Sequence, residues 1–239
     1  MTNDEIWLRS LAQKNDLIIT DIQLQKISRY IELLQEWNKN INLISRKDVE
    51  NIWLHHIALS VPFLFKVEFA GGARILDLGT GGGLPGIPLS IVRPDTNFVL
   101  VDSIQKKTRA VQEMVASLNL PNVSVICSRA EDLNKLGMYR NNFDAVIARA
   151  VSSLENLIQW GMPFLKRTTT LKTVSTKSDK IIVSKSPALI TMKGGDTEEE
   201  VERTRRRFPD VRIRSMDLIF KGSEMLQNSD KKLIIVENV

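Results

Sequence analysis

The chain contains one cysteine, Cys127, and two adjacent histidines, His55 and His56, in 239 residues. A single thiol excludes an intramolecular disulfide, and no CxxC pair exists to frame a zinc site, so no metal is expected. Long hydrophobic runs are also lacking: nothing approaches the ~18 consecutive apolar residues of a membrane-crossing helix. The opening MTNDEIWLRS is charged early and lacks the basic-then-apolar order of an export signal. A cytoplasmic protein with no membrane partner is the expectation. What remains, 43% hydrophobic and 26% charged residues, is the composition of an ordinary globular chain.

Charge is distributed unevenly. Residues 1–120 carry 13 Lys/Arg and 13 Asp/Glu, so the whole net charge of +5 lies in the second half. Its densest part is ERTRRRFPDVRIR, with Arg203, Arg205, Arg206, Arg207, Arg212 and Arg214. Such a face attracts polyanions, nucleic acid above all. The competing reading is a solvated helix face balanced by the preceding acidic run DTEEEVE.

The first seventy residues read as helices. Thr20 and Gln23 have capping-box spacing, and Ile27, Tyr30, Ile31, Leu34 and Trp37 then recur at helical intervals as one buried stripe. A second helical stretch, residues 46–65, is broken by Pro62, and Gly71-Gly72 forms a joint. The expected domains are therefore a helical extension over 1–70 and a second unit over 71–239. From Ala73 short apolar runs (ARILDL, NFVLVD, VSVICS, FDAVIA) alternate with helix-like segments, which indicates a parallel sheet covered on both faces. VRIRSMDLIF and KLIIVENV have no helix between them and read as an antiparallel closing pair. The Thr/Ser/Lys-rich residues 167–180 read as an exposed loop.

The densest chemistry lies in ILDLGTGGGLPGIPLS, residues 75–90. Glycines after a strand let backbone approach a ligand, and a proline is tolerated in the first helical turn, where N–H groups have no intrahelical partner. Two registers compete. Gly81-x-Gly83-x-x-Gly86 fits the dinucleotide pattern but begins three residues beyond Leu78, too late for that fingerprint. Asp77-x-Gly79-x-Gly81-x-Gly83 fits the D-x-G-x-G-x-G of S-adenosylmethionine sites. An acid at the strand end opposes a pyrophosphate and suits a cationic sulfonium. The alternative role for Asp77, holding the loop's own N–H groups, is compatible with either ligand. Asp102, ending the next strand, stands where a carboxylate accepts ribose hydroxyls, or else caps the helix that follows. Ala130 and Glu131 follow the third strand, where an adenine ring would lie.

The fourth strand is informative by omission. Ala148-Arg149-Ala150-Val151 replaces the Asn/Asp-Pro-Pro-aromatic turn of methyltransferases that act on exocyclic amino groups. Cys127, inside an apolar strand, reads as core rather than as the nucleophile of a cytosine-C5 enzyme. A target that already carries a lone pair is favoured.

LDLGTGGGLPGIPLSIVRP, LVDSIQKKTRAV and IARAVSSL, with EWNKNINLIS and HHIALS upstream and MKGGDTEEE downstream, resemble a known family over residues 30–239. It is the bacterial 16S ribosomal RNA (guanine-N7)-methyltransferases, also called glucose-inhibited division protein B. In two places the chain departs from it: His56-Ile57-Ala58-Leu59-Ser60 has leucine where the family usually has an acid, and the Thr/Ser/Lys stretch before ALITMKGG is longer than expected. The resemblance implies a Rossmann-like α/β fold, with a mostly parallel seven-stranded sheet, an antiparallel end and preceding N-terminal helices. It implies S-adenosylmethionine as cofactor, and a guanine in the decoding-centre loop of 16S RNA as target, free or within the small ribosomal subunit. Cofactor contacts are expected from Gly79, Gly81, Gly83, Leu84, Asp102, Ala130, Glu131 and Arg149. Guanine N7 needs no general base, so Arg149 and Lys193 are expected to position substrate rather than move protons. Arg149 could instead form a structural salt bridge, and Lys193 a surface lysine. His56, Trp37 and Trp53 are expected to pack. A monomer is expected. The alternatives are an NAD(P)-dependent oxidoreductase and an RNA-binding module with a vestigial cofactor loop.

Overall fold

A computed structural model describes residues 1–45, 47–167, 181, 182, 186–226 and 231–239; most of the Thr/Ser/Lys-rich stretch lies outside the described residues. Helices α1 (Asn3–Lys14) and α2 (Asp21–Asn38) each begin with a complete capping box, Thr2 with Glu5 and Thr20 with Gln23. Each cap satisfies N–H groups that the first turn leaves orphaned, a contribution of about 1 kcal/mol. Gln23 does more than cap. Its Nε2 donates to the carbonyls of Ile91 and Val92 at 2.9 and 3.0 Å, tying α2 to the far end of α5 (Gly86–Val92). Ile27, Tyr30, Ile31 and Leu34 are buried as the periodicity requires, and Trp37 packs at the margin.

Residues 49–66 form a broken helical path. A 3-10 turn (Val49–Asn51) leads into a π turn (Trp53–Ile57), then α3 (Ala58–Ser60), a break at Val61-Pro62, and α4 (Phe63–Lys66). A two-residue strand β1 (Val67–Glu68) pairs in parallel with β6 (Ile181–Ile182). Gly71-Gly72 then turns the chain into the main sheet.

That sheet contains β2 (Arg74–Leu78), β3 (Asn97–Asp102), β4 (Val123–Cys127), β5 (Ala145–Arg149), β7 (Ala188–Gly194), β8 (Val211–Asp217) and β9 (Lys231–Asn238). Their spatial order is β4-β3-β2-β5-β7-β9-β8. The first five are parallel; β9 runs antiparallel to both its neighbours, β7 and β8. The expected closing pair is present, with β9 inserted between β7 and β8.

Alternate residues of each strand supply two separate cores, as the two-residue strand period requires. Ile75, Leu100, Ala145, Ile147, Ile190 and Ile235 face one layer, with α1, α2, α5 and α6 (Gln105–Ser117). Leu76, Val101, Val146, Leu189 and Val236 face the other, with α7 (Ala130–Leu133), α8 (Leu154–Gly161) and α9 (Glu198–Arg207). The N-terminal helices thus share a continuous core with the sheet. Cys127 is a correction: it is exposed, not core. It ends β4, the strand at the sheet edge, whose residues alternate only between half-buried and exposed. No helix among the described residues is long and apolar enough to cross a membrane.

Candidate cofactor and substrate site

β2 ends at Leu78, and the chain turns through the glycines before entering α5. Asp77, fully buried, organises this turn. Its Oδ2 accepts from Thr80 Oγ1 at 2.7 Å and from the Gly86 N–H at 3.0 Å. Its Oδ1 has no partner, and burial pushes the carboxyl up to about 6, against the opposing pull of those two hydrogen bonds. Asp102 holds the loop from β3: Oδ2 accepts the Gly81 N–H at 3.0 Å and Oδ1 the Ile104 N–H at 2.9 Å, just ahead of α6. The Tyr30 hydroxyl of α2 donates to the Gly82 carbonyl at 2.9 Å. Three elements therefore pin one loop.

Above the carboxyl ends of β2, β3, β5 and β7 lies a cavity of about 1220 Å³. Gly79, Gly81, Leu84, Asp102, Ala130, Glu131, Arg149 and Lys193 all line it. Gly83 does not. At its φ of +93° an added Cβ would press on Ile87 Cδ1 at 2.5 Å, so glycine there answers to packing under the loop. At Gly81 the opposite holds: an added Cβ would meet nothing nearer than the Leu43 carbonyl at 3.9 Å, so that backbone face is open to the cavity.

One wall was not legible in the sequence. Leu43, Ile44, Asp48, His55 and His56 line the cavity from the N-terminal region. Asn38 Oδ1 accepts the N–H groups of Leu43 and Ile44 at 2.8 and 3.0 Å, turning the chain inward after α2. Contacts this distant in sequence leave no periodic signature. Trp37 and Trp53 pack against the core and do not line the cavity.

Arg149 ends β5 with its side chain in the cavity. Its Nη2 donates to His56 Nδ1 at 2.8 Å, and burial lowers its pKa. Burial also pulls His56 down to about 4, with the Arg149 charge adding to that effect. His56 is thus neutral and, because a guanidinium only donates, accepts through Nδ1. Lys193 is anchored: Nζ donates to Glu200 Oε1 at 2.9 Å and to the Ser152 carbonyl at 3.1 Å. The same Glu200 oxygen accepts the Leu154 N–H at 2.7 Å, joining the starts of α8 and α9.

None of the six arginines of the basic segment lines the cavity. Arg203 and Arg207 pair with Glu155, Arg205 with Glu202, and Arg214 with Glu237. Helix α9 meets the cavity at Glu200 and no later residue of the helix lines it; Arg205 lies about 7.5 Å further along the axis. The solvated, internally paired face is the reading these contacts favour.

The sequence model of one family, GidB (rRNA small subunit methyltransferase G), matches residues 23–208. This chain belongs to that family. It is 37% identical over 196 residues to the "Ribosomal RNA small subunit methyltransferase G" of Chlorobium phaeobacteroides, covering 82% of this chain and 78% of that one. The protein of the same name from Bacteroides fragilis is 39% identical over 182 residues, with 76% and 80% covered. Among solved structures, the fibrillarin/Nop5p complex superposes with a TM-score of 0.52 at 12% identity, covering 75% of this chain and 84% of that one. That likeness speaks to the fold alone. Family membership makes the chain a methyltransferase, and the cavity at the strand ends is where such a fold presents its ligands.

Proposed function

We propose that this enzyme transfers a methyl group from S-adenosylmethionine to N7 of a guanine in the decoding-centre loop of 16S ribosomal RNA, acting as a cytoplasmic monomer. The observation that carries the cofactor assignment is the chemistry around the glycine loop. Asp77 lies buried under the loop, Asp102 holds it and lines the cavity, Glu131 lines the same cavity from α7, and Gly81 leaves its backbone open to the cavity. Carboxylates on the cavity wall suit a ligand that brings an ammonium and a sulfonium; the preference over NAD(P) rests on the D-x-G-x-G-x-G register of the loop and on membership of a methyltransferase family. When bound, S-adenosylmethionine supplies an electrophilic methyl group on sulfur.

The chain's own residues do the rest. Asp102 keeps lone pairs free for ribose hydroxyls after accepting its two backbone bonds. Gly79, Gly81 and Leu84 give close approach for the amino-acid portion, and Ala130 and Glu131 flank the base. Gly83 contributes by shaping the turn. Arg149 has N–H groups without a protein partner among the described residues and stands ready to hold the target base. Lys193, held by Glu200, presents charge to RNA phosphate. N7 offers its lone pair directly, so orientation and exclusion of water are the work required. The small-subunit RNA target rests on the names of the relatives and on the resemblance of LDLGTGGGLPGIPL to the guanine-N7 enzymes.

Parallel calorimetric titrations with S-adenosylmethionine and NAD test the cofactor; binding of NAD alone refutes the assignment. Tritiated-methyl transfer to 16S RNA and to small subunits from a strain lacking this enzyme, with the modified base mapped, tests the target. Labelling of another nucleotide, or tight RNA binding with no transfer, overturns the reading.

A further inference from the structure

His56 sits 9% exposed in the cavity wall, on the π turn that precedes α3, and the proposed chemistry assigns it nothing. We propose that His56 is a positioning residue: its Nδ1 holds the Arg149 guanidinium in the cavity, and Asp48 behind it fixes the ring in the Nε2–H tautomer that makes this possible. The inference rests on the methyl-transfer reading above.

Three observations support it. First, the Arg149 Nη2 to His56 Nδ1 distance of 2.8 Å requires an unprotonated Nδ1, because arginine has no acceptor. A neutral imidazole then carries its proton on Nε2. Second, Nε2 is buried with no hydrogen-bond partner, and the nearest carboxylate is Asp48 Oδ2 at 3.7 Å. Asp48 is itself held by Ser45 Oγ at 2.7 Å and by His55 Nδ1 at 2.9 Å. Its negative charge therefore faces the Nε2 proton from a fixed position. Asp48, His55 and Arg149 are the charged or titratable groups around the ring. Third, His56 is the only hydrogen-bond partner of Arg149 among the described residues. Tyr30 and Asp77 act on Arg149 electrostatically from α2 and β2 without hydrogen-bonding it, so the guanidinium, which lines the cavity, is anchored by hydrogen bond at one nitrogen. An arginine left unanchored would spend its rotamer freedom on each encounter with substrate.

The π turn explains how the histidine reaches this position. The wider helical path at Trp53–Ile57 places His55 and His56 both on the cavity side, His55 toward Asp48 and His56 toward Arg149. Insertions of this kind recur where a helix must aim side chains at a site.

The experiment uses the full chain. Long-range 15N–1H correlation spectra of the wild-type histidines report the tautomer directly; the expected result is a bare Nδ1 and protonated Nε2 throughout the neutral pH range. Single-turnover methyl transfer to small subunits is then compared for wild type, His56→Asn and His56→Phe, with cofactor affinity and melting temperature measured alongside. Asparagine places an acceptor oxygen near the Nδ1 position, whereas phenylalanine fills the volume with no acceptor. His56→Phe is expected to lose about 10–100-fold in the transfer rate, and His56→Asn to stay within about threefold of wild type. Equal rates for His56→Phe and wild type, or equal losses in both variants, overturn the proposal. If neither variant folds, the wild-type ring decides, and an Nδ1–H tautomer or an imidazolium overturns it. Absence of methyl transfer by the wild type refutes the proposed function instead, while the tautomer still tests His56.

Discussion

Replacing Gly86 with alanine puts a methyl group into the contact between the glycine loop and β2. Gly86 opens α5 with its N–H on Asp77 Oδ2 at 3.0 Å. An added Cβ would stand 2.6 Å from that same oxygen and 3.3 Å from Asp77 Cβ, and would overlap Leu100 Cδ2. Asp77 and Leu100 are both fully buried, so neither can move out into solvent. Overpacking of this kind costs ~1–3 kcal/mol, and weakening the buried hydrogen bond adds ~1–3 kcal/mol. Alanine's helix preference offsets less than about 1 kcal/mol of this. The net expectation is a destabilisation of about 1–6 kcal/mol, or roughly 2–24 °C in Tm for a chain of this size. Urea denaturation measures it, with Gly137→Ala as the control because no atom lies within 4 Å of a Cβ there. Calorimetry should also find weakened S-adenosylmethionine binding, since the shifted Asp77 no longer sets the loop. A Gly86→Ala chain within about 0.5 kcal/mol of wild type would refute the account of the loop as a close-packed unit.

Three further outcomes are expected. Gly81→Asp, at a φ of +58° on the open face of the loop, should lower S-adenosylmethionine affinity at least about 100-fold through strain and blockage; an unchanged Kd would sink the assignment of that face. Asp77, about 6 when folded against an ordinary 3.8, binds its proton more tightly in the native chain, so stability present in acid falls by about 3 kcal/mol as pH rises through this window. Asp77→Asn should flatten that part of a pH series of urea midpoints relative to wild type, and an identical slope in both chains contradicts the burial argument. Cys127, exposed at the end of the edge strand, should react with one equivalent of a thiol reagent in the native protein; a requirement for denaturant would return it to the core.

The parts of the site that could be read from sequence are those made by contiguous residues. Strand, glycine turn and helix follow one another over residues 74–92, so Asp77, Gly79 and Gly81 could be singled out from spacing, and Leu84 from the family resemblance. The strands of the parallel sheet are apolar on both faces and stand out by composition for the same reason. What composition cannot carry is which distant segment covers a given surface. Tyr30 meets Gly82 across 52 residues and His56 meets Arg149 across 93, through single hydrogen bonds that no periodicity records. Cys127 misled because an apolar run looks alike at the centre and at the edge of a sheet. The arginine cluster shows the same limit: Arg203 and Arg207 pair with Glu155, which sits about fifty residues earlier on α8 and is invisible to a local charge count.

The position of β9 bears on how the chain is made. In synthesis from the N-terminus, β8 leaves the ribosome before the only strand it pairs with among the described residues, and β7 before its second neighbour. Until residues 231–238 emerge, the nascent sheet must stop at β7, with the backbone edge beside Leu189, Ile190 and Thr191 open. An apolar open edge is an invitation to pair with another chain. Truncation by even these few residues therefore removes two strand pairings at once, and premature termination late in the message should yield an aggregating product rather than a slightly shortened enzyme.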